Sequence, residues 1–220
     1  VYPPVVIKNC LAEVLSKNKK KQFHIAETEK YAHVTFFLNG TIEDPFPGED
    51  RKIVPSPKVK SYAEKPEMSA DGVAKETAKA IKSKKYDVII LNFANADMVA
   101  HTGDNKATKV AVEAVDKALA TVWAATEKAG GMLMMTADHG NGEELKNLRT
   151  GEMDKEHSTN PIPFLIMSKS LKGEAGPTGL PPGGDLSKLP PVGMLADVAP
   201  TMLKALQIEQ PPEMTGRALM

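Results

Sequence analysis

At 220 residues the chain is long enough for one domain with a substantial core, or one domain and a small appendage. Its 28 basic and 28 acidic side chains cancel, so no net charge favours a nucleic-acid or membrane surface as the main partner. The single cysteine, Cys10, excludes an internal disulfide, and no apolar run approaches the roughly 20 residues of a membrane-spanning helix; with no signal-peptide layout at the amino terminus, a cytoplasmic protein is expected.

Val5, Val6, Leu11, Val14 and Leu15 recur at helical spacing, and Pro3-Pro4 suits a first turn, which predicts a helix over residues 3–17. The basic run that follows, Lys17 to Lys21, reads as its solvated end. Residues 22–26 are predicted as a strand, whereas His33-Val34-Thr35-Phe36-Phe37-Leu38 fits either a strand or a buried helix. Residues 39–66, interrupted by Pro45, Pro47, Pro55, Pro57 and Pro66, are expected to form an irregular loop of the kind that is functional or packed on a partner. Ser69 to Asp71 offers caps for a helix running to Ser83, and residues 86–93 form a buried strand rich in β-branched residues.

A polar loop over 95–104 leads into a long helix from Lys106 to Ala129, which Gly130-Gly131 stops. Residues 132–137 are the next strand. This strand-loop-helix-strand order predicts a right-handed βαβ unit in a parallel sheet, with the Asp97 loop and the Asp138 loop at the same edge. Residues 164–167 make a further strand, 173–193 a glycine- and proline-rich surface excursion, and Asp197 is expected to cap a last helix to Leu206.

Three of the five histidines stand beside acids in polar loops: Asp97 with His101, Asp138 with His139, and Glu156 with His157. Taken singly each is ordinary, since Asp-His-Gly-Asn is good turn chemistry and Asp-x-x-x-His reads equally as a helix cap and a surface histidine. Together the three histidines with Asp97 and Asp138 supply five candidate ligands, more than one tetrahedral ion requires. They point to two ions about 3.5–4 Å apart, the arrangement used for phosphoryl chemistry. Carboxylate with imidazole suits Mn²⁺, Co²⁺ or Zn²⁺, with Mg²⁺ less favoured. His24 and His33, flanked by apolar residues, read as structural. Lys30 is either a surface lysine or, near two ions, a phosphate clamp.

Residues 26–37, 92–99 with His101-Thr102-Gly103, 136–141 and 157–161 resemble the cofactor-independent phosphoglycerate mutases, and the Lys30 and Asp97 blocks are highly specific. That family belongs to the alkaline-phosphatase-like metalloenzymes and interconverts 3-phosphoglycerate and 2-phosphoglycerate without 2,3-bisphosphoglycerate. The resemblance implies an α/β fold: a three-layer, mostly parallel sheet with helices on both faces, lacking its first strand. Residues 1–220 would be the carboxyl-terminal portion of the phosphatase domain.

The resemblance also implies that Asp97, His101 and His157 hold a first ion, that Asp138 and His139 hold a second, and that Lys30 contacts the phosphoryl group. Mn²⁺ is expected, with Co²⁺, Mg²⁺ and Zn²⁺ left open, and the first site is the one expected to be complete. His24 replaces a frequent arginine, Ala100 a glycine and Gly142 an alanine, and none of these removes a ligand. The family's nucleophilic serine, a further metal-binding aspartate and the glycerate-holding transferase domain match no block of this chain. Ser56, Ser69 and Ser158 lack the strand-to-helix turn of such a nucleophile. The implied chemistry has two steps: a serine takes the phosphoryl group, the glycerate reorients, and the phosphoryl returns to its other hydroxyl. A phosphoglycerate substrate and a monomeric full-length protein are expected, with no nucleic-acid or membrane partner. The alternatives are a broader metal-dependent phosphatase or sulfatase-like hydrolase, and a non-catalytic metal-binding domain when the chain is isolated.

Overall fold

In the computed structural model, which describes residues 7–147, 149–174, 176, 179 and 188–220, strand β1 (Gln22–Glu27) is buried along its whole length. It is buried because it is central. Strands β2 (Glu49–Val54) and β3 (Val88–Asn92) flank it, both parallel, with Gln22 opposite Glu49 on one side and Val88 on the other. β2 lies inside the segment expected to be an irregular loop. Its charged sequence, Glu49-Asp50-Arg51-Lys52, obscures it, and an edge strand tolerates those charges because one flank faces water. Its one inward charge, Glu49, accepts hydrogen bonds from Asn39 Nδ2 (2.8 Å), the Phe46 N–H (3.0 Å) and Arg51 Nε (2.5 Å). His24 is fully buried beside it, and burial holds the imidazole toward its neutral form.

Alternation along β3 divides the core between two faces. Val88 and Ile90 pack with helix α1 (Leu11–Lys17) and helix α6 (Val198–Ala205), through Leu11, Leu15 and Leu203. Ile89 and Leu91 face the other way, toward α3 (Ala70–Ser83) and α5 (Asn105–Ala129), where Val73, Ala74, Ala118 and Val122 are buried. Helices therefore cover both faces of the parallel sheet.

Several boundaries differ from the sequence expectation. Within the described residues the first helix begins at Leu11, because Asn9 takes a left-handed φ of 53° and Cys10 is extended; residues 1–6 lie outside the described set. Residues 33–38 resolve into the end of a short helix, α2 (Tyr31–Val34), followed by turns. The polar loop after β3 contains a further helix, α4 (Asn95–Ala100). Asp197 precedes α6 but does not cap it through its side chain; its carboxylate instead accepts the N–H groups of Met194 and Arg217, holding the carboxyl-terminal tail. Of residues 173–193, positions 175, 177, 178 and 180–187 lie outside the described set.

The main correction concerns pairing. α5 ends at Gly130, whose φ of 73° stops it, and returns the chain to β4 (Leu133–Thr136). Among the described residues β4 pairs not with β3 but with β5 (Phe164–Met167), antiparallel, as a separate two-stranded sheet. Leu133 still shares an apolar cluster with Leu91 and Phe93, so the two sheets border one core without exchanging backbone hydrogen bonds. An apolar run identifies a strand, but it carries no record of which neighbour that strand bonds.

Leu203 lies at the centre of the α1–β3–α6 cluster and has no exposed surface. Leu203→Ala is expected to cost about 2–5 kcal/mol in urea unfolding, whereas Val112→Ala, half exposed on α5, should stay within about 0.5 kcal/mol.

Candidate metal centre

The strand ends bring the expected residues to one edge. Lys30 follows β1, Asp97 and His101 follow β3, and Asp138 and His139 follow β4. Because β5 runs antiparallel to β4, its amino end returns to the carboxyl edge of β4, and the segment carrying His157 enters there too. Ligands of open α/β sheets bind at this edge.

α4 places Asp97 and His101 one helical turn apart, with the His101 N–H bonded to the Asp97 carbonyl at 3.1 Å. Asn95, Val99 and Ala100 are fully buried and fix the helix, and Asn95 Nδ2 donates to the Pro66 carbonyl. Asp97 Oδ1 then lies 3.1 Å from His101 Nε2 and 3.3 Å from His157 Nε2, and those two nitrogens are 3.2 Å apart. The triangle's edges are close to the separation of about 3.3 Å between ligands of a tetrahedral ion bound at roughly 2.0–2.1 Å. His101 Nδ1 donates to the Lys155 carbonyl at 2.7 Å, which leaves the Nε2 lone pair facing the triangle. His139 Nδ1 faces the Gly140 carbonyl at 3.2 Å in the same manner.

His139 joins this group. Its ring stacks on His157 with centroids 3.6 Å apart, and ligand atoms of Asp97, His139 and His157 all lie within 4.8 Å of one another. Asp138 stays at the rim; its side chain is 58% exposed and its carboxylate is 3.6 Å from His139 Nε2. The structure thus gathers Asp97, His101, His139 and His157 into a single knot and leaves Asp138 beside it. A carboxylate with three imidazoles is a donor set that fits a divalent transition ion.

Lys30 is buried rather than at the surface, and its Nζ lies 2.5 Å from Asp97 Oδ2. Burial raises the Asp97 pKa, but hydrogen bonds from Lys30 and Asn141 outweigh it and hold the carboxyl at about 2. His24 is remote from the knot, in the network around Glu49. His33 is exposed, with its ring edge-on to Phe37, and burial together with the Lys30 charge lowers its pKa.

Sequence reasoning overlooked two residues of the turn after β4. Asn141, almost fully buried, donates from Nδ2 to Asp97 Oδ1 at 2.7 Å, and Glu143 accepts the Asn141 N–H at 2.8 Å. The available signal was an amide and a carboxylate within five residues of two expected ligands, where supporting hydrogen bonds to ligands are commonly found.

The chain matches the family described as "Metalloenzyme superfamily" over residues 2–210. It is 50% identical over 218 residues to the 2,3-bisphosphoglycerate-independent phosphoglycerate mutase of Chloroflexus aurantiacus, covering 99% of this chain and 38% of that protein. To the Pseudomonas fluorescens mutase it is 46% identical over 220 residues, covering 100% and 40%. A phosphoglycerate mutase of Leishmania mexicana, crystallised at low cobalt concentration, superposes with a TM-score of 0.82 at 32% identity, over 99% of this chain and 40% of that one. The chain therefore spans about 40% of the length of these relatives.

A carboxyl whose folded pKa is depressed contributes stability that is present above the ordinary carboxylate range, near 3.9, and is lost as pH falls through about 2. Carbon-detected NMR of the metal-free chain should find Asp97 titrating near 2, and Lys30→Gln should raise that value by about a unit or more, because burial then acts unopposed. An unchanged titration would show that Lys30 does not hold the carboxylate.

Proposed function

The chain belongs to the Metalloenzyme superfamily, and from that premise we propose that it is the metal-holding portion of a phosphoglycerate mutase that interconverts 3-phosphoglycerate and 2-phosphoglycerate without 2,3-bisphosphoglycerate. The observation that carries this reading is the knot itself: one carboxylate, three imidazoles and a buried ammonium converge at one sheet edge. It does so in a chain 50% identical to a curated mutase.

In this proposal Asp97, His101 and His157 hold one divalent ion, and Asp138 with His139 supplies ligands to a second. Mn²⁺ is the proposed ion, with Co²⁺ the nearest substitute. Bound ions would neutralise charge on the transferring phosphoryl oxygens. The protein's own groups prepare the site. Asn141 and Lys30 aim the two oxygens of Asp97, one toward the imidazoles and one away from them. The backbone acceptors of His101 and His139 keep each Nε2 facing the site. Lys30, poised within 2.5 Å of Asp97, supplies the ammonium that would meet a phosphoryl oxygen.

We further propose that the nucleophilic serine, a further metal-binding aspartate and the groups that hold the glycerate lie outside these 220 residues. Two observations support this. The chain spans about 40% of its relatives' length, and β3 and β4 border a common core with, among the described residues, no backbone hydrogen bonds between them. A strand carrying the nucleophile would complete the sheet there, and the serine would take and return the phosphoryl group while the glycerate turns.

The complete source protein should exceed 23.7 kDa in intact mass and should isomerise 3-phosphoglycerate, with turnover abolished by a chelator. His101→Ala or His157→Ala should lower that turnover by at least about a hundredfold, given that loss of mere supporting partners costs about ten- to a hundredfold. Undiminished turnover in either variant would overturn the assignment. Phosphate release without isomerisation would favour a hydrolase instead. The 220-residue chain alone should bind metal and show no turnover.

A further inference from the structure

Nothing regular holds the segment that carries His157. Among the described residues, 137–163 contain no helix or strand, only the isolated bridges Gly140–Ser158 and Lys146–Met153. The His157 side chain is 48% exposed, and its ring packs only on the other imidazoles of the knot. Beside those bridges, the side-chain ties between this segment and the turn after β4 centre on one carboxylate. Glu143 Oε1 accepts the Ser158 hydroxyl and Asn160 Nδ2 (3.1 Å), while Oε2 accepts the Asn141 N–H (2.8 Å). Asn160 Nδ2 also reaches Glu144 at 3.0 Å, and the Ser158 N–H bonds the Gly140 carbonyl at 2.9 Å. The approach is close enough that a Cβ on Gly140 would meet Ser158 Oγ at 2.2 Å and Glu143 Oε1 at 2.3 Å. Hydrogen bonds to a carboxylate are the strong class, and here three converge from two loops.

The residues so joined are the immediate neighbours of His139 and His157. We propose that Glu143 is a positioning residue, a clip that sets the separation of the His157 loop from the Asp138–His139 turn and thereby the affinity of the knot for a divalent ion. The inference rests on the metal-holding role proposed above. Glu143 touches neither Asp97 nor any histidine through a hydrogen bond in this structure, so it acts through Asn141, Gly140 and Ser158.

Co²⁺ is the probe, titrated into the full 220-residue chain and read by visible absorption, which reports both affinity and coordination geometry. Glu143→Ala should weaken Co²⁺ binding by about ten- to a hundredfold and alter the spectrum, while the metal-free melting temperature barely moves. Glu143→Gln should fall between, since its amide oxygen can still accept from Ser158 or Asn160 but its amino group cannot accept the Asn141 N–H. Ser158→Ala, at a half-buried position, should reproduce part of the loss and decides the matter if Glu143→Ala fails to fold. His157→Ala serves as the control that removes a ligand. If His157→Ala destroys binding while Glu143→Ala or Ser158→Ala stays within about twofold of the parent, the clip is refuted and the metal site stands. If the parent chain gives no Co²⁺ spectrum, the metal-holding role and the clip fall together.

Discussion

A buried carboxylate has to be met by positive charge or hydrogen-bond donors, and at Asp97 that requirement organises much of the molecule. Its side chain is 15% exposed and that of Lys30 10%, so removing either partner would leave an uncompensated charge at a cost of about 3–5 kcal/mol. The donors that satisfy it come from separate places, Lys30 from the end of β1 and Asn141 from the turn after β4, while His101 at the end of α4 and His157 from the segment before β5 bring ring nitrogens against the same carboxylate. One side chain thus ties together segments of two sheets that share no backbone hydrogen bonds among the described residues.

The same arrangement explains why the knot is suited to cations. The carboxylates of Asp97 and Asp138 stand beside the imidazoles, and the Nδ1 atoms of His101 and His139 face backbone carbonyls, so that each of these rings turns its Nε2 toward a carboxylate. Every layer of the fold contributes to that geometry. The buried faces of α3 and α5 seat β1 and β3, burial of Asn95, Val99 and Ala100 fixes α4, and the antiparallel β4–β5 pair turns the chain back to the same edge.

Much of this was legible in the sequence where one physical signal dominates. β1 and β3 follow from short apolar, β-branched stretches, α3 from its cap residues and α5 from its apolar side, and Gly130 stops α5 as a residue free to take positive φ should. β2 was hidden because an edge strand can carry Glu49 to Lys52, and the inward turn of Glu49 depends on Asn39, ten residues earlier in the chain. The pairing of β4 was misread because hydrophobic pattern identifies a strand without naming its neighbour. Around the knot, the acid–histidine pairs marked segments that the fold brings together. They could not foretell that His139 stacks on His157, that Lys30 is buried against Asp97, or that Asn141 and Glu143 support the site, since each depends on contacts between distant segments.

The central claim is that Asp97, His101 and His157 form a site for a divalent ion. Anomalous diffraction from crystals of the chain grown with Mn²⁺ tests it most directly. The account predicts a strong peak bonded to Asp97, His101 Nε2 and His157 Nε2, with any weaker second peak beside Asp138 and His139. Full Mn²⁺ occupancy elsewhere with none at Asp97, or diffraction showing no ordered ion at millimolar Mn²⁺, would contradict it.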